Sequence, residues 1–289
     1  MPRKKNADEV LQDGDIIRVD YKSRAVAVPD DFLIATPPDA RPIIAREIAW
    51  RDTDLPEYEG RFATVLDHVL SPSECDALVR MAEDSVANRG KSGTRTWSPA
   101  LVNIGGGREM LDKEYRNSDR IVWDNQEVMN RLWARCTAAE GLRGRLAEVV
   151  EQPTLRMRMR GMQEGNKWVF ERLNERMRFL KYGPGQFFRP HCDGAFSQEV
   201  DGAILKTFYT LHLYLNNSTA TEASAGPEGL VGGATSFLSD DHERRVDVNP
   251  KAGRVLIFEH EGLYHSGDDV VQGVKLTMRG DALFRLVRE

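Results

Sequence analysis

The residues that could carry chemistry in this chain are two histidines and an aspartate: His191, Asp193 and His265. Two imidazoles and one carboxylate on one face of a metal form the facial triad typical of non-haem Fe(II), which leaves coordination positions open. His191 and Asp193 are two residues apart, so on an extended segment both side chains project to the same side. His265 must then come from a different strand. The pattern predicts a metal site with these three side chains as ligands.

A lysine, Lys275, follows His265 by ten positions. A cation at this place could hold the far carboxylate of a chelating dicarboxylate, because an ammonium offers a point charge with several hydrogen-bond donors. Arg279 is the competing candidate, and the spacing favours Lys275. The residue types therefore indicate a site for Fe(II), with 2-oxoglutarate and O2 as co-substrates.

Composition limits the other classes of function. The chain has 289 residues, 40% of them hydrophobic, and a formal net charge of −5. A net negative charge gives no general attraction to nucleic acid or an anionic membrane, so neither is expected as a partner. No apolar run approaches the roughly 18 residues of a membrane helix.

Three scattered cysteines predict no disulfide framework and favour an intracellular, cytoplasmic location. The basic residues near the N-terminus are expected to be a solvated tail, with a nuclear address as the alternative.

Residues 1–60 contain several prolines and short apolar pieces, and we expect an N-terminal extension that packs on the main domain. A helix is predicted to begin at Ser71, because Ser71 can cap it, Pro72 fits its first position and Glu74 completes a capping box. A second helix is predicted from Asp124 and a third over 142–150. Together these helices would form a helical support over about 71–152.

Two segments allow alternative interpretations. Residues 88–117 are rich in Gly, Ser and Arg, and are predicted to be a long loop, either a substrate lid or ordinary disorder. Residues 155–160 alternate arginine with apolar side chains. This alternation favours an amphipathic edge strand, and a basic rim for an acidic substrate is the alternative.

From about residue 176 the hydrophobic period switches to two. The predicted strands are 178–182, 207–215, 234–238, 245–248, 255–259 and 276–286, separated by turn signals such as Asn249-Pro250. Several short strands at such intervals are typical of a sandwich or a barrel.

Over roughly residues 65–287 the sequence resembles the prolyl 4-hydroxylase-like group of Fe(II)/2-oxoglutarate oxygenases. The resemblance rests on the segments 73–75, 178–193, 213–216, 232–237, 253–258 and 279–284. It implies an α+β fold with a double-stranded β-helix (jelly-roll, cupin-like) core flanked by N-terminal helices. The oxygenase domain would span 61–289, with the jelly-roll at about 176–287.

By position, the resemblance implies that His191, Asp193 and His265 bind iron. It places Lys275 on the C5 carboxylate of 2-oxoglutarate, and Tyr182 and Tyr214 in the same pocket. The implied activity is that of a dioxygenase that hydroxylates an unactivated C–H bond of a small molecule, an amino acid or a protein side chain, and releases succinate and CO2. Ascorbate is implied as a reductant. An aspartate at position 193 favours hydroxylation over chlorination, and desaturation and cyclisation stay open as alternatives.

Two other classes fit the same ligands. A zinc or manganese cupin-like hydrolase or isomerase would use the three ligands without needing Lys275, and a catalytically silent binding module would tolerate the loss of His191. Cys192, between two ligands, is expected to be a buried thiol that points away from the metal. His212 shares its strand face with Tyr214 and is expected to be packed rather than a ligand. The sequence specifies neither the substrate nor the oligomeric state.

Overall fold

The computed structural model describes residues 11–37, 41–86, 96–150, 166–221 and 229–287. Its helices within these ranges are α1 (Pro72–Asp84), α2 (Gln126–Cys136) and α3 (Leu142–Arg145), with short 3-10 turns at Trp50–Asp52 and Pro56–Tyr58. Helix α1 begins as predicted. The Glu74 amide donates to the Ser71 hydroxyl and the Ser71 amide donates to the Glu74 carboxylate, which completes the capping box.

Two predicted helix boundaries are wrong. Asp124 belongs to a strand, and Asn125 caps α2 by accepting a hydrogen bond from the Val128 amide. The third helix stops at Arg145 rather than at residue 150, because residues 148–150 pair as a strand with residues 167–169. Two adjacent valines in 148–150 favour that extended conformation.

The strands within the described ranges are β1 (Ile16–Arg18), β2 (Ile44–Glu47), β3 (Ala63–Asp67), β4 (Ser98–Pro99), β5 (Val102–Gly105), β6 (Arg108–Met110), β7 (Arg116–Asn117), β8 (Asp119–Asp124), β9 (Glu148–Val150), β10 (Lys167–Leu173), β11 (Arg176–Tyr182), β12 (Phe187–His191), β13 (Ser197–Val200), β14 (Ala203–Tyr214), β15 (Val231–Gly232), β16 (Thr235–Leu238), β17 (Arg245–Val248), β18 (Val255–Glu259), β19 (His265–Gly267), β20 (Val270–Gln272) and β21 (Lys275–Val287).

Two sheets form the body of the molecule. The larger has the strand order β2-β3-β18-β14-β21-β11-β8-β4, with β9, β10 and β13 paired off this path, and the smaller has the order β17-β16-β19-β12-β7. The sheet β1-β6-β5 and the pair β15-β20 lie beside them. The pairs are antiparallel, and many of them join strands that are distant in sequence, such as β14 with β21 and β16 with β19. The fold is therefore α+β with a double-stranded β-helix core, as the resemblance implied.

The central strand β14 shows how the sequence separates the core from the cleft between the sheets. Successive side chains of a strand point to opposite faces. Leu211 and Leu213 face outward and pack in the core that includes Leu78 of α1 and Leu132 of α2. The intervening residues face the smaller sheet. One face of β14 thus packs against the helices, and the other face lines the space between the two sheets.

The segment predicted as a loop is largely structured. Residues 96–117 contain four short strands, of which β4 pairs with β8 and β7 pairs with β12, so the loop prediction is wrong there. Residues 88–95 lie outside the described part of the chain, and so does the arginine-rich stretch 155–160. The strands predicted downstream of residue 176 agree with β11, β14, β16, β17, β18 and β21.

Residues before position 61 contact the sheets at several places. Strand β2 pairs with β3, and Trp50 is buried with its ring centroid 5.1 Å from that of Phe237 in β16. These contacts bring the N-terminal segment onto the β-helix. Among the described residues, no helix has the length and apolar character needed to cross a membrane.

Candidate active site

The three predicted metal ligands come together where β12 and β19 pair in the smaller sheet. His191 ends β12 and lies opposite His265, which begins β19, and Asp193 follows two residues after His191. One ligand atom from each side chain lies within 4.8 Å of the others. His191 Nε2 is 3.6 Å from Asp193 Oδ1, and His265 Nε2 is 3.9 Å from Asp193 Oδ2. The strand pairing therefore places ligands that are 74 positions apart around one point.

Main-chain hydrogen bonds orient both imidazoles in the same way. His191 Nδ1 lies 2.8 Å from the Arg189 carbonyl oxygen, and His265 Nδ1 lies 2.9 Å from the Leu263 carbonyl oxygen. A carbonyl only accepts hydrogen bonds, so each Nδ1 carries the proton and donates it. The lone pair of each Nε2 is then free for a metal.

The charges of the three side chains also suit a metal. Burial would raise the pKa of Asp193, but the Arg279 guanidinium and the two histidines hold it well below its usual range. Burial, with a further contribution from His191, lowers the pKa of His265 to about 4. The site therefore offers a carboxylate and a neutral imidazole at neutral pH, and this donor set fits Fe(II).

Asp193 is held by two further residues. The Thr210 hydroxyl donates a hydrogen bond of 2.5 Å to Asp193 Oδ2, and Arg279 Nη2 lies 3.2 Å from Asp193 Oδ1. Thr210 is on β14 and Arg279 is on β21, so the larger sheet orients a ligand carried by the segment after β12.

A narrow cleft of about 40 Å³ opens beside these ligands between the two sheets. It is lined by Arg116, Leu180, Tyr182, Phe188, His191, Asp193, Thr210, His212, Thr235, Phe258, His265, Ser266, Gly267, Lys275 and Arg279. Both sheets contribute to this lining, and it is markedly cationic.

Lys275 is buried in this cleft, with 1% of its surface exposed. It lies opposite Tyr182 in the pairing of β21 with β11, and its Nζ is 5.1 Å from the centre of the Tyr182 ring. Among the described residues, Lys275 forms no ion pair with a carboxylate. Burial lowers the pKa of its ammonium to about 8. The cleft thus holds a cation that lacks a counter-ion.

Gly233 leaves space for the Lys275 side chain. Its φ is +71°, and a Cβ atom at this position would lie 3.1 Å from Lys275 Cδ. A side chain here would therefore strain the backbone and press on the lysine.

The structure brings Tyr182 into the cleft but does not bring Tyr214 to it. Tyr214 lies in a second core cluster with Trp50 and Phe237. Its hydroxyl donates to Thr235 Oγ1 at 2.7 Å and lies 3.2 Å from the Val248 carbonyl oxygen. Tyr214 therefore reaches the cleft only through Thr235, which lines it.

Arg279, the competing cation, is already paired. Its Nη2 lies 3.2 Å from an oxygen of Asp281 as well as from Asp193, and Arg178 contacts the other Asp281 oxygen at 2.8 Å. Burial would raise the pKa of Asp281, but Arg279 and Arg178 hold it below its usual range. Arg279 thus belongs to a chain of ion pairs that ends on Asp193, which leaves Lys275 as the better candidate for an anionic ligand.

Some features of the site were missed or misjudged from sequence. Cys192 is exposed, so the prediction of a buried thiol is wrong, because β12 ends at His191 and the chain leaves the sheet there. His212 is packed as expected, and its Nε2 is buried without a hydrogen-bond partner among the described residues. Strand parity with His212 could have revealed Thr210. No signal marked Arg116, which lies in the segment predicted as a loop.

The segment that carries this site matches one family profile. The sequence profile described as the 2OG-Fe(II) oxygenase superfamily matches residues 177–280. No curated protein matches the chain. Among solved structures, a Pseudomonas putida prolyl-4-hydroxylase is similar with 18% identity, over 78% of this chain and 95% of that one, at a TM-score of 0.46. A viral collagen prolyl hydroxylase from Paramecium Bursaria Chlorella virus-1 is similar with 18% identity, over 79% and 98%, at 0.43.

The matched segment contains His191, Asp193 and His265 together with Lys275. The profile match confirms the resemblance at the level of the superfamily, and the geometry of the three side chains agrees with it. Residues 177–280 form a 2OG-Fe(II) oxygenase domain, and the protein is a 2-oxoglutarate-dependent dioxygenase that uses Fe(II) and O2.

Proposed function

We propose that His191, Asp193 and His265 bind the Fe(II) and that Lys275 binds the C5 carboxylate of 2-oxoglutarate. The observation that carries the proposal is the presence, in one cleft, of three convergent ligand atoms and a buried ammonium without a counter-ion. A buried charge is costly unless it is paired, and a carboxylate of the co-substrate provides that partner. Bound iron and 2-oxoglutarate supply the oxidising chemistry and yield succinate and CO2.

The other polar side chains of the cleft position these ligands. Tyr182 lies beside the Lys275 ammonium and can donate its hydroxyl to the same carboxylate. Burial raises the pKa of Tyr182, so this hydroxyl keeps its proton. Tyr214, outside the cleft, fixes the position of Thr235 through a hydrogen bond to its hydroxyl. Thr210 and Arg279 fix the orientation of Asp193.

The proposed reaction is hydroxylation of an unactivated C–H bond of a small molecule, an amino acid or a protein side chain. The aspartate at position 193 supports hydroxylation, because it fills a metal position that a smaller residue would leave to another ligand. The acidic balance of the chain argues against nucleic acid or an anionic membrane surface as the partner. The free state of all three cysteines is compatible with an intracellular location, cytoplasmic by default. Ascorbate is proposed as a reductant.

The test is anaerobic loading with Fe(II) and 2-oxoglutarate, followed by admission of O2 and measurement of succinate across a library of candidate substrates. Succinate release without substrate supports the activity of the site, and stimulated release identifies the substrate. The variant His191→Ala should release none. Unchanged succinate release by this variant would falsify the ligand assignment.

Two alternatives are separated by the same experiment. A cupin-like hydrolase or isomerase would keep its activity in Lys275→Ala, because it needs no anchor for a dicarboxylate. A silent binding module would release no succinate with any substrate. The buried lysine supports neither alternative, because neither a hydrolase or isomerase nor a binding module needs a buried ammonium without a counter-ion at this place.

A further inference from the structure

Arg116 is a second buried cation in the cleft without a carboxylate partner. It lies on β7 opposite Phe188, with its guanidinium carbon 4.6 Å from the centre of the Phe188 ring. Only 8% of its surface is exposed, and its Nε is buried without a hydrogen-bond partner. Within the described part of the chain, no carboxylate lies within ion-pairing distance of it.

Other buried arginines of the molecule differ in this respect. Arg120 pairs with Glu109, and Arg279 pairs with Asp193 and Asp281. Burial lowers the pKa of Arg116 to about 10, so it is still charged at neutral pH. A buried guanidinium without a counter-ion is unfavourable in the free protein. An anionic ligand bound in the cleft would remove this penalty.

The position of Arg116 relative to Lys275 indicates which anion this is. Both lie next to Tyr182: the Lys275 ammonium is 5.1 Å from the ring centre, and the Arg116 guanidinium lies near the Tyr182 hydroxyl and lowers its pKa. The Ser118 hydroxyl is buried and also lies near that of Tyr182. Two cations without a carboxylate partner among the described residues, and two hydroxyl groups, therefore lie around Tyr182 in one part of the cleft.

We propose that Arg116 is a second cationic ligand for the C5 carboxylate of 2-oxoglutarate, which it holds together with Lys275 and Tyr182. This inference rests on the proposed function, since it assumes that the co-substrate lies with its C5 end at Lys275. A guanidinium can donate two parallel hydrogen bonds to one carboxylate, and an ammonium approaches the same group as a point charge. The pair accounts for the burial of both cations, and it selects a dicarboxylic over a monocarboxylic keto acid.

The test is isothermal titration of the full-length, Mn(II)-loaded protein with 2-oxoglutarate and with 2-oxopentanoate, which has a methyl group in place of the C5 carboxylate. Arg116→Gln should weaken 2-oxoglutarate binding about thirtyfold, as expected for loss of a charge-assisted hydrogen-bonded pair. Binding of 2-oxopentanoate should change less than threefold. Arg116→Lys should keep part of the affinity for 2-oxoglutarate, and Arg108→Gln, an exposed arginine, should match the wild type.

Unchanged 2-oxoglutarate affinity in Arg116→Gln overturns the inference. An equal loss for both keto acids, or equal losses in Arg116→Lys and Arg116→Gln, also overturns it, because either result indicates a structural role. If 2-oxopentanoate binds too weakly to titrate, the comparison of the lysine and glutamine variants with 2-oxoglutarate decides. The variant Lys275→Met separates this inference from the proposed function: if it too binds 2-oxoglutarate normally, the placement of the co-substrate is wrong.

Discussion

The Thr210 hydroxyl donates a 2.5 Å hydrogen bond to the carboxylate of Asp193. The two residues lie on different parts of the fold, since Thr210 belongs to β14 of the larger sheet and Asp193 follows β12 of the smaller one. This contact connects the carboxylate of Asp193, a proposed metal ligand, to the larger sheet. Partners of this kind orient a metal ligand and raise metal affinity.

Replacing Thr210 by valine should therefore weaken metal binding about tenfold, because the carboxylate loses one of the groups that fix its orientation. The measurement is a titration of the metal-free protein with Fe(II) under anaerobic conditions. Thr277→Val is a matched control, since the Thr277 hydroxyl is buried on β21 without a hydrogen-bond partner among the described residues. Equal losses in the two variants would indicate a packing effect instead.

Replacing Lys275 by methionine should weaken 2-oxoglutarate binding by a factor of about 10 to 100, which corresponds to the loss of a hydrogen bond between charged groups. Metal affinity should stay within about threefold of the wild-type value, because no ligand is changed. Calorimetric titration of the Mn(II)-loaded protein gives both constants. Lys113→Met removes an exposed lysine and serves as the control for net charge. A Lys275→Met protein with normal 2-oxoglutarate affinity would contradict the assignment.

The affinity for 2-oxoglutarate should fall as the pH rises above about 8. Burial lowers the pKa of Lys275 to about 8 in the free protein, and a bound carboxylate raises it again. Below pH 8 the lysine is charged before and after binding, so affinity is constant. Above pH 8 binding must take up a proton, and the dissociation constant should rise toward tenfold per pH unit. Titrations at pH 7, 8 and 9 test this, and Lys275→Met should show no such slope.

The same lysine should destabilise the ligand-free protein. Its pKa falls from 10.5 to about 8 on folding, so the charged form is disfavoured in the folded state by about 3 kcal/mol. Lys275→Met should then raise the free energy of unfolding at pH 7 by up to that amount. The gain should shrink between pH 8 and pH 10.5, because the lysine is neutral in both states at higher pH. Urea unfolding at pH 7 and pH 10.5 checks the sign, and a less stable variant at pH 7 would argue against it.

Gly233→Ala should weaken 2-oxoglutarate binding severalfold while metal binding is unchanged. The new methyl group would lie 3.1 Å from Lys275 Cδ and would displace the lysine from its position. Gly202→Ala is the matched control, since Gly202 has a similar φ of +76° and no atom within 4 Å of the added carbon. Both variants should lose similar stability from backbone strain. Only the first should alter the binding constant.

The sequence predicts those site residues that lie close together in the chain, and it does not predict those that only the fold brings together. His191 and Asp193 could be paired because a strand places alternate residues on one face, and Lys275 could be chosen by its distance from His265. Arg116 could not be found in this way. Its place in the cleft follows from the pairing of β7 with β12, between residues about 70 positions apart in the chain. No local pattern encodes such a contact.

The fold shows the same division. The capping box at Ser71 and the alternating segment of β14 are local patterns, and both predictions are confirmed. The end of the third helix was wrong because residues 148–150 pair with residues 167–169, and that partner outweighs any helical preference. Tyr214 shares the inward face of β14 but lies beyond the cleft, since parity gives the direction of a side chain and not its depth.

The main-chain carbonyls of Arg189 and Leu263 orient His191 and His265, and a substitution of either residue leaves its carbonyl oxygen in the chain. The orientation of both rings toward the proposed metal position therefore depends little on the surrounding side chains. Residues at the entrance of the cleft can then diverge, in nature or by engineering, to admit new substrates without disturbing the two proposed histidine ligands.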